Sequence, residues 1–202
     1  MNNELAQARV FLDSEALENF GRILKTKSIS KIAILCDSNT QEYCLPALLA
    51  ALPDLPADRL EVLEIEPGEG QKDIEVLAQL WEAFGALDLD RKSLLINLGG
   101  GVITDLGGFA AACYMRGIDF VNFPTTLLAM TDASVGAKTG INFGGFKNRI
   151  GLFVEPLMVG IIPAFLKSLP EEEVLSGWAE LLKHGLIADS EHYEELIRRK
   201  PK

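Results

Sequence analysis

One stretch constrains the fold of this chain more than any other. Ser93-Leu94-Leu95-Ile96-Asn97 is a short apolar run suited to a buried strand. Gly99, Gly100 and Gly101 follow it, and Val102-Ile103-Thr104-Asp105-Leu106 then opens an apolar helical pattern. A strand that empties through bare backbone into a helix offers N–H groups and the positive end of a helix dipole to a phosphate. The same glycines also serve as a plain tight turn, so alone they leave both readings open. Asp105, Arg116, Thr125, Thr126, Asp132, Lys138, Asn142, Lys147 and Asn148 then fall between Leu98 and Gly151 among small residues and glycines. One reading is a glycine-rich loop region with solvated charges. The other is a cleft where cations hold an anionic substrate and carboxylates hold hydroxyls or a metal.

The flanking sequence alternates strand and helix patterns. Asp13 or Ser14 can cap a helix with Leu17, Phe20, Ile23 and Leu24 on one face. Lys31 to Cys36 reads as a buried strand ending at Asp37, which can cap a helix or accept from a ribose hydroxyl. Gln41 to Leu52 reads as a helix stopped by Pro53, and Leu60 to Ile65 as a second strand. The loop Pro67-Gly68-Glu69-Gly70-Gln71-Lys72, solvated on its own chemistry, leads to a helix with Ile74, Leu77, Trp81 and Phe84 on one stripe. Asp119 to Phe123 and Leu157 to Ile162 complete the strand patterns. Such alternation predicts an α/β, Rossmann-like domain, a parallel sheet with helices on both faces, over residues 1–167. From Ser168 the pattern becomes helical. Ser168 is a candidate cap, Glu171 to Glu173 suit a first turn, and Gly185 can end or interrupt the helix. Residues 168–202 are expected to begin a second, all-helical domain.

Composition removes several function classes. A net charge of −10 argues against a nucleic-acid surface, but not against a small anion held by local lysines. No apolar run reaches membrane-spanning length, and the opening MNNELAQARVF lacks a basic region and a signal-type apolar core. A soluble, cytoplasmic protein is expected. Cys36, Cys44 and Cys113 have no CxxC spacing, and the apolar patterns around Cys36 and Cys113 predict buried reduced thiols.

Four pieces, GGGVITDLGGFAAACYMRG, FPTTLLAMTDASVGAKTGIN, KNRIG and SGWAELLKHG, stand in the order and nearly the spacing of one family. From about Pro67 to Gly185 the chain closely resembles the 3-dehydroquinate synthases, within the sugar-phosphate cyclases. The resemblance implies the N-terminal portion of an enzyme that uses NAD and zinc (or cobalt), and a homodimer. Its reaction cyclises 3-deoxy-arabino-heptulosonate 7-phosphate to 3-dehydroquinate with loss of phosphate, in the shikimate pathway to aromatic amino acids. Around the cofactor it implies Asp37, Glu69, Lys72, Gly99, Gly100, Gly101, Asp105, Thr125, Thr126, Asp132, Lys138 and Lys147. For the substrate it implies Arg116, Lys138, Asn142, Lys147, Asn148 and Lys183, with Lys138, Asn148 and Lys183 catalytic. Arg suits a bidentate grip on an oxyanion and Lys a point charge on phosphate.

Glu180 is the metal ligand that the resemblance implies. Glu180 and Lys183, three residues apart on a helix, otherwise read as a surface ion pair. The family's two ligating histidines lie in its helical domain, and His184 and His192 do not match their positions. With no second or third ligand evident beside Glu180, the isolated chain is expected to hold no stoichiometric zinc and to be inactive. Two positions depart from the family pattern: Ala137 stands where Gly is usual, and Phe143 where His is common. Another sugar-phosphate cyclase, a metal-dependent alcohol dehydrogenase of related fold, and a bare nucleotide-binding module are the competing readings.

Overall fold

The computed structural model describes residues 10–188 and 190–199, so residues 1–9, 189 and 200–202 lie outside the described residues. The chain runs β1 (Val10–Leu12), α1 (Asp13–Thr26), β2 (Ile32–Asp37), α2 (Ser38–Tyr43), α3 (Leu45–Ala51), β3 (Leu60–Ile65) and α4 (Ile74–Ala86). It continues through β4 (Leu94–Gly99), α5 (Gly101–Cys113), β5 (Asp119–Pro124), β6 (Lys138–Phe143), β7 (Phe146–Phe153) and β8 (Val159–Ile161). Two helices, α6 (Glu171–Ala188) and α7 (Ser190–Arg198), close it.

Six strands form one parallel sheet in the order β1-β8-β5-β4-β2-β3, the Rossmann-like α/β architecture read from the sequence. β3 lies on one side of β2 and β4 on the other, so the winding reverses between β2 and β4. In open parallel sheets the crevice beyond such a reversal is the ordinary ligand site. Asp37 and Gly99 end the two strands that flank it.

Both faces of the sheet are covered, which is why β2 and β4 are nearly continuous apolar runs rather than alternating, broken inside β4 by buried Asn97, which donates to Asn122 Oδ1 at 2.9 Å. Ile34, Cys36, Ile96, Leu98 and Phe123 pack with Phe20 and Leu48 on one face. Ala33, Leu35, Leu95 and Phe120 pack with Leu77, Phe84 and Leu106 on the other. A fully buried Phe20, Leu77 or Phe84 contributes about 2–3 kcal/mol through the apolar area it removes from water.

β6 and β7 stand outside this sheet as an antiparallel hairpin, with an irregularity between Ile141 and Phe143. The hairpin lies against α5, where Ile141 joins the core, and leaves Phe146 and Phe153 exposed. α6 packs against a single π-helical turn, Ala129–Ala133, and against α7.

Several sequence expectations change. No side chain caps α1, because the edge strand β1 runs directly into it through Leu12. The helix expected from Gln41 is broken at Cys44, since Pro46 in the first turn of α3 has no N–H to continue α2. The buried stripe of α4 is Leu77, Leu80 and Phe84, with Trp81 at its margin and Ile74 exposed. Ser168 does not cap α6; its hydroxyl donates to the Phe165 carbonyl, 3.2 Å away. Gly185 lies inside α6, where an added Cβ would come within 2.9 Å of Tyr193 Cα, so it serves the close approach of α7. Cys113 is exposed at the end of α5, whereas Cys36 and Cys44 are buried. No described helix is long and apolar enough to cross a membrane.

Candidate functional site

The glycine loop lies at the carboxyl end of the sheet. Gly99 closes β4, Gly101 opens α5, and Gly100 precedes the helix with no side chain capping the first turn. The Thr125 N–H donates to the Gly99 carbonyl over 3.0 Å, which draws Thr125 and Thr126 against the loop. A Cβ on Gly100 would sit 2.9 Å from Thr126 Cγ2, so the backbone approaches closely there only because it is bare. Uncapped N–H groups at a helix start, next to bare backbone, form a donor set that fits a dinucleotide's phosphates. The Thr126 hydroxyl accepts from the Ala129 N–H at 3.2 Å, so the helix-capping reading of this residue also holds. Asp37, across the crevice at the end of β2, caps α2 by accepting from the Thr40 N–H at 2.8 Å.

A polar network joins the loop after β3, the start of α5 and the hairpin. Lys72 is only 4% exposed. Its ammonium is paired with Asp105 and donates to Asn148 Oδ1 at 2.5 Å. Asn142 takes its place through three bonds: its N–H donates to the Lys72 carbonyl (2.8 Å), its Nδ2 to Glu69 Oε1 (2.9 Å), and its Oδ1 accepts from the Asn148 N–H (2.9 Å). Lys147 Nζ lies 3.6 Å from Glu69 Oε1. Burial pushes the Asp105 carboxyl above the ordinary range, and the Lys72 ammonium pulls it back. Most of the PGEGQK loop is exposed, but Lys72 is buried at the centre of the network. Asn148 has φ 52°, a left-handed conformation that Asn tolerates better than most residues.

A second cluster forms where α6 meets the π-helical turn. Gly177 makes the contact possible, since an added Cβ would lie 2.6 Å from both Leu127 Cβ and the Leu128 backbone nitrogen. Three and seven residues on, Glu180 and His184 face Asp132. His184 Nε2 is 3.2 Å from Glu180 Oε1 and 3.8 Å from Asp132 Oδ1. One ligand atom from each of the three lies within 4.8 Å of the others. Lys183 is ion-paired with Glu180 and holds its carboxyl below the ordinary range. Lys183 Nζ and His184 Nε2 both approach the same buried oxygen, Glu180 Oε1. Asp132 and His184 thus stand beside Glu180, where the sequence suggested no companion. His184 was legible from its i,i+4 spacing to Glu180, but Asp132 is brought in only by tertiary packing.

Lys138 is exposed at the start of β6, next to Ala137, whose φ of 55° explains why glycine suits that position. Phe143 is exposed. Arg116, an expected substrate residue, lies apart from the glycine loop. It follows α5, whose 13 residues span about 20 Å, so it lies at the opposite end of that helix from the glycine loop. Within one chain it does not join the others.

These arrangements agree with comparisons to known proteins. Residues 62–176, more than half of the chain, match the family model for the 3-dehydroquinate synthase N-terminal region. A curated 3-dehydroquinate synthase of Parabacteroides distasonis is 43% identical over 194 residues, covering 96% of this chain and 54% of that protein. The structure of 2-epi-5-epi-valiolone synthase from Streptomyces hygroscopicus, with NAD+ and Zn2+ bound, superposes with a TM-score of 0.72 at 30% identity. The match covers 91% of this chain and 50% of that one. A 2-deoxy-scyllo-inosose synthase complexed with carbaglucose-6-phosphate, NAD+ and Co2+ shares the fold, with a TM-score of 0.77 at 24% identity over 87% of this chain and 48% of that one. The chain thus spans about half the length of the relatives it matches. Across that half, the glycine loop, the Lys72 network and the matched segment give one answer: the chain belongs to the 3-dehydroquinate synthase family.

Proposed function

We propose that this chain is the dinucleotide-binding portion of a 3-dehydroquinate synthase, a carbon–oxygen lyase that cyclises 3-deoxy-arabino-heptulosonate 7-phosphate with loss of phosphate. The observation that carries this reading is the convergence at the winding reversal. Bare backbone at the α5 start lies beside that reversal, Thr125 bonds to it from the end of β5, and the Lys72–Asp105–Asn148 network closes on the second turn of α5. The relatives solved with NAD+ and Zn2+ or Co2+ support the same cofactors for this chain.

Bound NAD would supply reversible oxidation of a ring hydroxyl, which acidifies the neighbouring C–H so that phosphate can leave. A divalent metal would polarise the reacting oxygens. The chain's own residues then have distinct tasks. The glycine loop holds the pyrophosphate, and Asp37, Glu69, Lys72, Asp105 and Asp132 surround the cofactor. Lys138, Lys147, Asn148 and Lys183 present cationic or amide donors to substrate oxyanions, with Asn142 holding Asn148 in register. Residues 168–202 begin a helical domain that carries the metal end of the site. The partners are a small sugar phosphate and a second copy of the chain, with neither nucleic acid nor membrane. A second copy is also the route by which Arg116 could meet a substrate. Cytoplasmic placement accords with the three free cysteines.

The test uses the complete enzyme. It should release phosphate from the seven-carbon substrate without net NADH, whereas an alcohol dehydrogenase of this fold would accumulate NADH. Lys138→Ala and Lys147→Ala should each cost about 1.5–3 kcal/mol in kcat/KM, the value of a charge-assisted contact. The 202-residue chain alone should bind NAD and show no turnover. Full activity in either lysine variant, or NADH accumulation, would overturn this reading.

A further inference from the structure

Two amides are buried in the face of the sheet that α5 covers, and none of the roles assigned above uses either. Asn97 on β4 and Asn122 on β5 stand opposite one another in register, 0% and 4% exposed. Burying an amide costs free energy that only hydrogen bonds recover, and a matched apolar pair serves a core about as well. The pair therefore has a reason beyond stability.

Its bonds run in one direction. Asn97 Nδ2 donates to Asn122 Oδ1 over 2.9 Å, and Asn122 Nδ2 donates to the Ser134 carbonyl over 3.5 Å. Reversing the Asn122 amide would set its oxygen against that carbonyl, so Ser134 selects the orientation. Asn97 then holds it by filling the other end of the amide. A Cβ on Gly107 would lie 2.0 Å from Asn97 Oδ1, so α5 rests directly on the Asn97 side chain and confines it. Asn97 Oδ1 is buried with no hydrogen-bond partner among the described residues. The pair is thus oriented for its far end rather than for its own complete bonding.

That far end is Ser134, 2% exposed and directly after the π-helical turn. Its N–H and its hydroxyl both donate to the Ala129 carbonyl, at 3.1 and 2.6 Å, and close the turn. Ser134 follows Asp132 by two residues and precedes Lys138 by four. The carbonyl that Asn122 grips is therefore a point at which the sheet holds the segment carrying both.

We propose that Asn122, oriented by Asn97, is a positioning residue that sets Asp132 and Lys138 against the bound cofactor and substrate. That role rests on the cyclase reading, which assigns Asp132 and Lys138 to the site. Neither amide touches the reacting atoms; both act through the Ser134 carbonyl.

The test replaces both amides in the complete enzyme with valine, an apolar residue that strands favour, as Asn97→Val with Asn122→Val. Removing both partners of a buried hydrogen bond costs far less stability than removing one. The thermal midpoint should accordingly change little. The kcat for phosphate release should fall about tenfold or more, because a small misplacement of reacting groups is costly, and the loss should fall on kcat more than on KM. In the 202-residue chain, the Val135 and Gly136 amides, which donate to the Asp132 carbonyl, should exchange with solvent faster than in the parent, with β2 unchanged. A parental kcat in the folded variant, whatever its midpoint, overturns the role and leaves the pair to the fold alone. Should the double variant not fold, Asn122→Ser removes the bond to Ser134 without adding apolar bulk and carries the same comparison. If the parent enzyme itself releases no phosphate, the cyclase reading fails, and unchanged exchange at Val135 and Gly136 would then sink the positioning role separately.

Discussion

Lys72 and Asp105 form an ion pair between the loop after β3 and the second turn of α5, with side chains only 5% and 17% exposed. This pair, with Asn148, ties the loop to the helix and the hairpin. Removing one partner of a buried pair leaves the other charge unmatched, at a cost of about 3–5 kcal/mol. Lys72→Met should therefore destabilise the chain by about 3 kcal/mol at pH 7. Burial already raises the Asp105 carboxyl, and Lys72 opposes that rise; without Lys72 it climbs further. A carboxyl raised in the folded state contributes stability that is full below its unfolded value, near 3.8, and is lost as pH rises through the folded value. The deficit of Lys72→Met should accordingly shrink as pH falls from 7 towards 4. Denaturant unfolding across that range checks it; a deficit independent of pH would show that lost packing, not the stranded carboxylate, is responsible.

The glycine loop makes a second prediction. Gly100→Val adds a branched side chain where one Cβ already comes within 2.9 Å of Thr126 Cγ2. It should abolish NAD binding by blocking the backbone approach to the pyrophosphate. Calorimetric titration of the folded variant is the check, and unchanged affinity would move the dinucleotide site elsewhere.

The parts legible in the sequence are those whose signal is local. β2, β4 and β5 are sandwiched between helix layers and so appear as continuous apolar runs, and the glycine loop is contiguous. The motifs also carried the family. The hairpin was not legible, because Gly140, Gly144, Gly145 and Gly151 interrupt its pattern and β7 is exposed along its length. Equally hidden was the role of Lys72. Its partners are 33 and 76 residues away, and no spacing rule links a loop lysine to Asp105 and Asn148. Arg116 shows the converse: it belongs to a motif, yet the length of α5 carries it away from the other residues of that motif.

The cysteines should differ sharply in reactivity. Burial, helped by Asp37 and Glu64, pushes the Cys36 thiol up to about 12, and burial also raises Cys44. Burial raises the Cys113 thiol too, but that residue is exposed at the end of α5. A disulfide reagent at pH 8 should label one thiol rapidly, lost in Cys113→Ser, and the other two only on unfolding. The raised Cys36 value also means that its contribution to stability is full below 9.0 and lost as pH rises towards 12. Rapid labelling of two or three thiols in the native chain would show that the face of the sheet carrying Cys36 opens readily.

The last prediction concerns Gly177, which touches none of the polar residues assigned above. A Cβ there would lie 2.6 Å from the Leu128 backbone nitrogen, and backbone cannot swing aside as a side chain can. Gly177→Ala must therefore lift α6 from the Leu127–Leu128 segment, against the small gain in helix propensity that alanine brings. Overpacking of this kind costs about 1–3 kcal/mol. The displacement has a direction: it carries Glu180 and His184, one and two turns along the same helix, away from Asp132. Thermal unfolding should register a modest loss of stability. NAD affinity, set at the α5 start, should stay unchanged. A loss of NAD affinity would mean that the glycine supports the whole domain rather than the approach of this one helix.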